Sequence, residues 1–117
     1  MNANKSAGIA NANLATAPKI ASATVARATG LLTVSITGVT DGQVVSVYAG
    51  TAQGRVYLGR AVAVGTSASF TMSRIDQQTA GVSAQVFAGA VITATRSSTG
   101  GSGQTSPFAT GFAARAV

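Results

Sequence analysis

Few side chains in this chain could carry covalent or acid–base chemistry. Its 117 residues include no His, no Cys and no Glu, and the only carboxylate side chains are Asp41 and Asp76. General acid–base catalysis needs a positioned titratable group with a pKa near the working pH. Asp41 sits in Thr40-Asp41-Gly42 and Asp76 in Ser73-Arg74-Ile75-Asp76, two separate settings that predict a turn residue and a helix-start residue. The Ser and Thr hydroxyls have no His to activate them as nucleophiles. Metal ions need clustered His, Cys or carboxylate ligands, and the composition supplies no such cluster. Gly100-Gly101-Ser102-Gly103 is Gly-rich but has no Lys after it and no helical pattern, so it reads as a hairpin tip and not a phosphate cradle. The expectation is a non-enzymatic protein without cofactor, metal or small-molecule substrate.

Charge is the other chemical resource. Lys5, Lys19, Arg27, Arg55, Arg60, Arg74, Arg96 and Arg115 outnumber the two carboxylates, for a formal charge of +6. That balance favours acidic partners. Arg55, Arg60, Arg74 and Arg96 are candidates for a phosphate-binding patch, with Tyr48 and Tyr57 as stacking platforms. The basic residues are scattered singly, which ranks nucleic acid below an acidic protein surface as the partner. The longest uncharged window, 77–95, is interleaved with Gln, Thr, Ser and Gly, short of the about 20 apolar residues that a spanning helix needs. After Lys5 the run SAGIANANLATAP is broken by Asn11 and Asn13, unlike a secretory signal. Beginning with Met1, the chain reads as a whole gene product.

These residues must be positioned by strands, because the dominant pattern has period two. In Leu31–Thr37, Leu32, Val34 and Ile36 alternate with Thr33, Ser35 and Thr37, the mark of a half-buried antiparallel strand. Val45, Val47 and Ala49 alternate with Ser46 and Tyr48; Ala68, Phe70 and Met72 share a face in Ser67–Met72. A first strand is expected over Ile20–Val25, with Ile20, Ser22 and Thr24 on one side. A shorter one follows over Arg55–Gly59 with Val56 and Leu58 inward, extended through Val64 past a bulge at Gly59. The stretch from Gln85 to Phe108 carries a strand over Val91–Thr95, the Gly/Ser tip, and a returning strand in which Phe108, Thr110 and Phe112 alternate. Pro107 places that return at a sheet edge or a strand start. Ser73 is expected to cap one helical turn, and Thr79–Gln85 to be an extra strand or a crossover. Leu32, Val34, Ile36, Val45, Val47, Phe70, Ile92 and Ala94 are the predicted core. The whole predicts an all-β antiparallel sandwich of about seven strands over residues 18–117, behind an arm of residues 1–17. That arm has only Ile9 and Leu14 as sizeable apolar groups, too few to order it without a partner.

Several short motifs occur in a characteristic order: Val45, Val47, Tyr48 and Gly50; Leu58-Gly59; Ser69-Phe70-Thr71; Thr93-Ala94-Thr95 followed by Thr105-Ser106-Pro107. In this order they resemble bacterial immunoglobulin-like domains, modules of bacterial surface adhesins and bacteriophage structural proteins, over about residues 18–110. Two features depart from that family: a long Ser73–Gln85 segment, and Ser, Thr and Gly where acidic loop residues would hold calcium. The resemblance implies an immunoglobulin-like antiparallel sandwich and a structural role. Together with the charge, it leads to a virion structural protein that decorates or cements a bacteriophage capsid or tail. Its expected location is the virion surface, with a major capsid or other virion protein, or further copies of itself, as partner. An extracellular adhesin or carbohydrate-binding module, and a basic nucleic-acid-packaging coat protein, are the alternatives. The residues expected to meet the partner are Lys5, Ile9 and Leu14 on the arm, and Arg55, Tyr57 and Arg60 on the sandwich.

Overall fold

The structure, a computed structural model, describes residues 16–98 and 105–117. The expectations that fall on Lys5, Ile9, Leu14 and the Gly100–Gly103 tip lie outside the described residues. The strands are β1 (Lys19–Val25), β2 (Leu32–Thr37), β3 (Val44–Ala49), β4 (Val56–Val62), β5 (Ser67–Met72), β6 (Val91–Ser97), β7 (Phe112–Ala113) and β8 (Arg115–Ala116). They form two four-stranded sheets, one ordered β5-β2-β1-β8 and the other β4-β3-β6-β7. Every pairing is antiparallel except β1 with β8. This is the expected immunoglobulin-like sandwich.

The core follows from the alternation. All eight predicted core residues are buried, joined by Ala49, Leu58, Ala68 and Met72. A side chain such as Ile36, fully buried between the sheets, contributes about 1.5–3 kcal/mol through burial.

Two strands break period two. In β1 the register passes from Ile20↔Ile36 to Ser22↔Ser35, leaving Ala21 as the extra residue of a bulge. The bulge reverses facing, so Ile20 is buried together with Ala23 and Val25, not with Ser22 and Thr24 as expected. In β4 the register passes from Val47↔Gly59 to Tyr48↔Tyr57, so the anticipated bulge forms at Leu58-Gly59. Val56 and Leu58 face inward before it, and Ala61 and Ala63 after it. Glycine is required there by space: a Cβ on Gly59 would lie 2.8 Å from Cε1 of Phe70. Gly59→Val is therefore expected to cost about 1–3 kcal/mol by overpacking, or about 4–8 °C in Tm per kcal/mol. An unchanged melt would show that Phe70 has room to move aside.

The segment after β5 is a crossover, not an extra strand. Helix α1 spans Arg74–Thr79, and a single 3-10 turn follows at Ser83–Gln85. Ser73 caps α1 as expected: its Oγ accepts from the Asp76 backbone N–H at 3.1 Å. Gln77 is fully buried, and its Nε2 donates to the carbonyls of Gly30 (2.8 Å) and Met72 (2.9 Å), tying the crossover to the β1–β2 loop.

The last segment differs most from the expectation. Phe108, Thr110 and Phe112 do not alternate along one strand. Residues 106–111 run beside β6 without forming a ladder; β7 pairs only with Val91 and Ile92, and β8 then joins the opposite sheet, parallel to Thr24 and Val25 of β1. Pro107 has no N–H to offer a ladder. Gly111 passes so close to Val91 that a Cβ would lie 2.5 Å from Cγ1. At the other end of the chain, Thr16 is already held to the sandwich, its carbonyl accepting from Arg96 Nε at 2.9 Å, and Pro18 is buried.

Candidate functional site: the outer face of the β4-β3-β6-β7 sheet

The outer faces of the two sheets differ in chemistry. On the β5-β2-β1-β8 face, the register aligns Arg115, Thr24, Thr33 and Thr71 in one row and Ser22, Ser35 and Ser69 in the next, with Lys19, Thr37 and Ser67 beyond them. Apart from Lys19 and Arg115 at its border these are short hydroxyls, with no large apolar group among them, the surface of a sheet that faces water. On the opposite sheet, Tyr48 and Tyr57 are cross-strand partners. Their rings meet edge to face at 5.6 Å between centroids, and Phe108 meets Tyr48 in the same way at 5.1 Å. The Arg55 guanidinium carbon stands 3.8 Å from the centroid of the Phe108 ring, a cation–π contact. Tyr57 remains 51% exposed and Phe108 39%.

Local structure explains each position. The β4 bulge keeps Tyr57 and Arg60 on the outer side, because two residues, Leu58 and Gly59, fall between them. Arg60 stands opposite Ser46, and Val62, at 61% exposure, continues the face along the edge strand. Phe108 comes to this face because the 106–111 segment leaves the ladder and crosses it: the Ala109 N–H donates to Ala94 O at 2.8 Å, and Thr93 Oγ1 donates to Ala109 O at 2.6 Å. The alternation of Phe108, Thr110 and Phe112 predicts a returning strand and does not single out Phe108 for this face; the signal for its departure from a strand is Pro107 immediately before it.

Of the expected partner residues, the structure brings Arg55, Tyr57 and Arg60 together. Arg55 is half-buried and its Nε has no hydrogen-bond partner, so it acts chiefly to hold Phe108 against the sheet. Arg60 is the exposed cation. The four-arginine patch considered for nucleic acid does not form. Arg96 points into the end of the sandwich and is almost fully buried; its Nη1 reaches Gln43 Oε1 at 3.4 Å, and burial lowers its pKa. Arg74 lies over the Gly30 backbone, where a Cβ would come within 2.5 Å of its Nε. Both carboxylates serve structure: Asp41 Oδ1 accepts from the Gly65 N–H at 2.9 Å, and Asp76 sits in the first turn of α1. Among the described residues, no group of three or more His, Cys, Asp or Glu could hold a metal ion, and no helix is long and apolar enough to cross a membrane. No protein-family model and no curated protein matches this chain.

Proposed function

We propose that this protein is a non-enzymatic structural protein of a virion, decorating or cementing a bacteriophage capsid or tail. The observation that carries the reading is the asymmetry of the sandwich: one outer face is hydroxylic with Lys19 and Arg115 at its border and no large apolar group, and the other presents Tyr48, Tyr57, Phe108 and Val62 beside Arg60. Exposed apolar patches rimmed by polar groups mark docking sites, and Tyr and Arg are enriched among residues that dominate interface energies. Neither carboxylate of the described residues belongs to this face, so its charge complements an acidic partner surface. The resemblance to bacterial immunoglobulin-like modules supplies the virion context. Individual exposed charge pairs contribute little and are screened over about 8 Å at physiological salt, so charge assists docking while the aromatic centre secures it.

The test is mass spectrometry and density-gradient sedimentation of virions from a culture producing the protein. The protein is expected to travel with the particles. Tyr57→Ala is expected to cost about 2 kcal/mol or more, some 30-fold in Kd, while Arg60→Glu weakens attachment mainly at low salt. Protein found only free would remove the reading. The exposed Tyr57 ring favours one alternative, a carbohydrate-binding adhesin module. Recovery on cells or glycans, with Tyr57→Ala releasing it, would establish that instead.

A further inference from the structure

Among the described residues, the outer edge of β1 is open over most of its length. Strand β8 covers only Thr24 and Val25, so among the described residues no strand lies beside the outer edge of Lys19–Ala23. Beside this open stretch is a largely apolar groove of about 690 Å³, walled by Pro18, Lys19, Ile20 and Ala21 on one side and Thr110, Gly111 and Phe112 on the other. Pro18 and Ile20 are buried and Phe112 half-buried in the wall, while the bulge residue Ala21 is exposed at the rim. Unpaired backbone groups beside an apolar groove form a receptor for strand addition, in which the main chain gives affinity and one or two side chains give fit.

We infer that this groove receives residues 1–15 of a second copy of the chain, linking copies by exchange of their N-terminal segments. This deepens the assembly reading above. Length is sufficient: 15 residues at about 3.3–3.6 Å each reach roughly 50 Å, against about 17 Å for the five open residues of β1. Composition suits a narrow site. The segment has one charge, at Lys5, no Pro to interrupt main-chain pairing, mostly small side chains, and Ile9 and Leu14 as the apolar groups to seat against Phe112. The origin of the segment favours exchange over folding back. The Thr16 carbonyl is bonded to Arg96 of β6, in the sheet opposite β1, and only Ala17 and Pro18 separate it from Lys19, so a tight hairpin back onto the open edge of its own β1 competes with that bond.

The chain has no cysteine, so disulfide trapping in the full-length protein is clean. Protein carrying Ile9→Cys or Leu14→Cys is mixed with protein carrying Ala21→Cys and gently oxidised. The expected result is a mixed disulfide at least ten-fold more abundant than with Ser69→Cys, on the hydroxylic face, together with an average mass that rises with concentration in sedimentation. Equal trapping at Ala21 and Ser69, or a mass that stays monomeric at all concentrations, overturns the inference. So does a Leu14→Cys/Ala21→Cys variant that closes only within its own chain. Particle attachment is scored separately with Tyr57→Ala. Lost trapping with intact attachment sinks the exchange alone; intact trapping with no particle association sinks the virion reading alone.

Discussion

Ile36→Ala is expected to lower the unfolding free energy by about 2–5 kcal/mol, the range for truncating a large aliphatic side chain in a packed core. Ile36 has no exposed surface, and its strand lies between β1 and β5, so neighbours on both sides must move to fill the space. Part of the cost is lost transfer free energy and part is the residual cavity, because interiors packed like crystals relax incompletely. For a domain of this size, Tm should fall by about 4–8 °C per kcal/mol. Val64→Ala is the control. Val64 is 78% exposed, and its truncation should stay within about 0.5 kcal/mol. Paired denaturant melts decide the matter: equal midpoints for the two variants would mean that β2 does not anchor the core.

The second large effect is expected at Gln77. Gln77→Leu keeps most of the volume but removes the amide that donates to Gly30 O and Met72 O. Each buried acceptor left without its donor costs about 1–3 kcal/mol, giving about 2–6 kcal/mol for the pair. The side-chain oxygen Oε1 has no hydrogen-bond partner, so nothing is lost on that side. The effect should also be local. Amide exchange should accelerate most in residues 26–31 and in α1, the two segments that the amide holds together. Uniform acceleration across all strands, or a loss below about 0.5 kcal/mol, would show that the link between crossover and loop is not what closes this end of the sandwich.

The candidate face was half legible. Tyr48 and Tyr57 could be placed outward from alternation alone, and Arg55, Tyr57 and Arg60 could be named together because they are near in sequence. Phe108 could not. Its place depends on residues 106–111 leaving the ladder, and an aromatic in an alternating run reads equally well as core. Arg96 was misplaced for a related reason. An arginine in a strand pattern reads as surface, yet its partners, Gln43 and Thr16, lie 53 and 80 residues away in sequence.

By itself the sequence determined which chemistries the side chains can supply, since a chain without His, Cys or Glu lacks most ordinary catalytic and metal-binding groups. It also determined the strands β2, β3 and β5 and their buried faces, because the pleat has period two and a regular strand must bury alternate residues. Only the tertiary structure decided where that period breaks. The bulges at Ala21 and Leu58-Gly59 set the register against neighbouring strands, and the ring of Phe70 leaves no room for a Cβ at Gly59. The split of the last segment between two sheets was also decided there, since β7 and β8 find partners in β6 and β1, which come from opposite ends of the chain. Alternation is a property of a few consecutive residues. Register and sheet membership are settled by contacts between segments that meet only once the sandwich has closed.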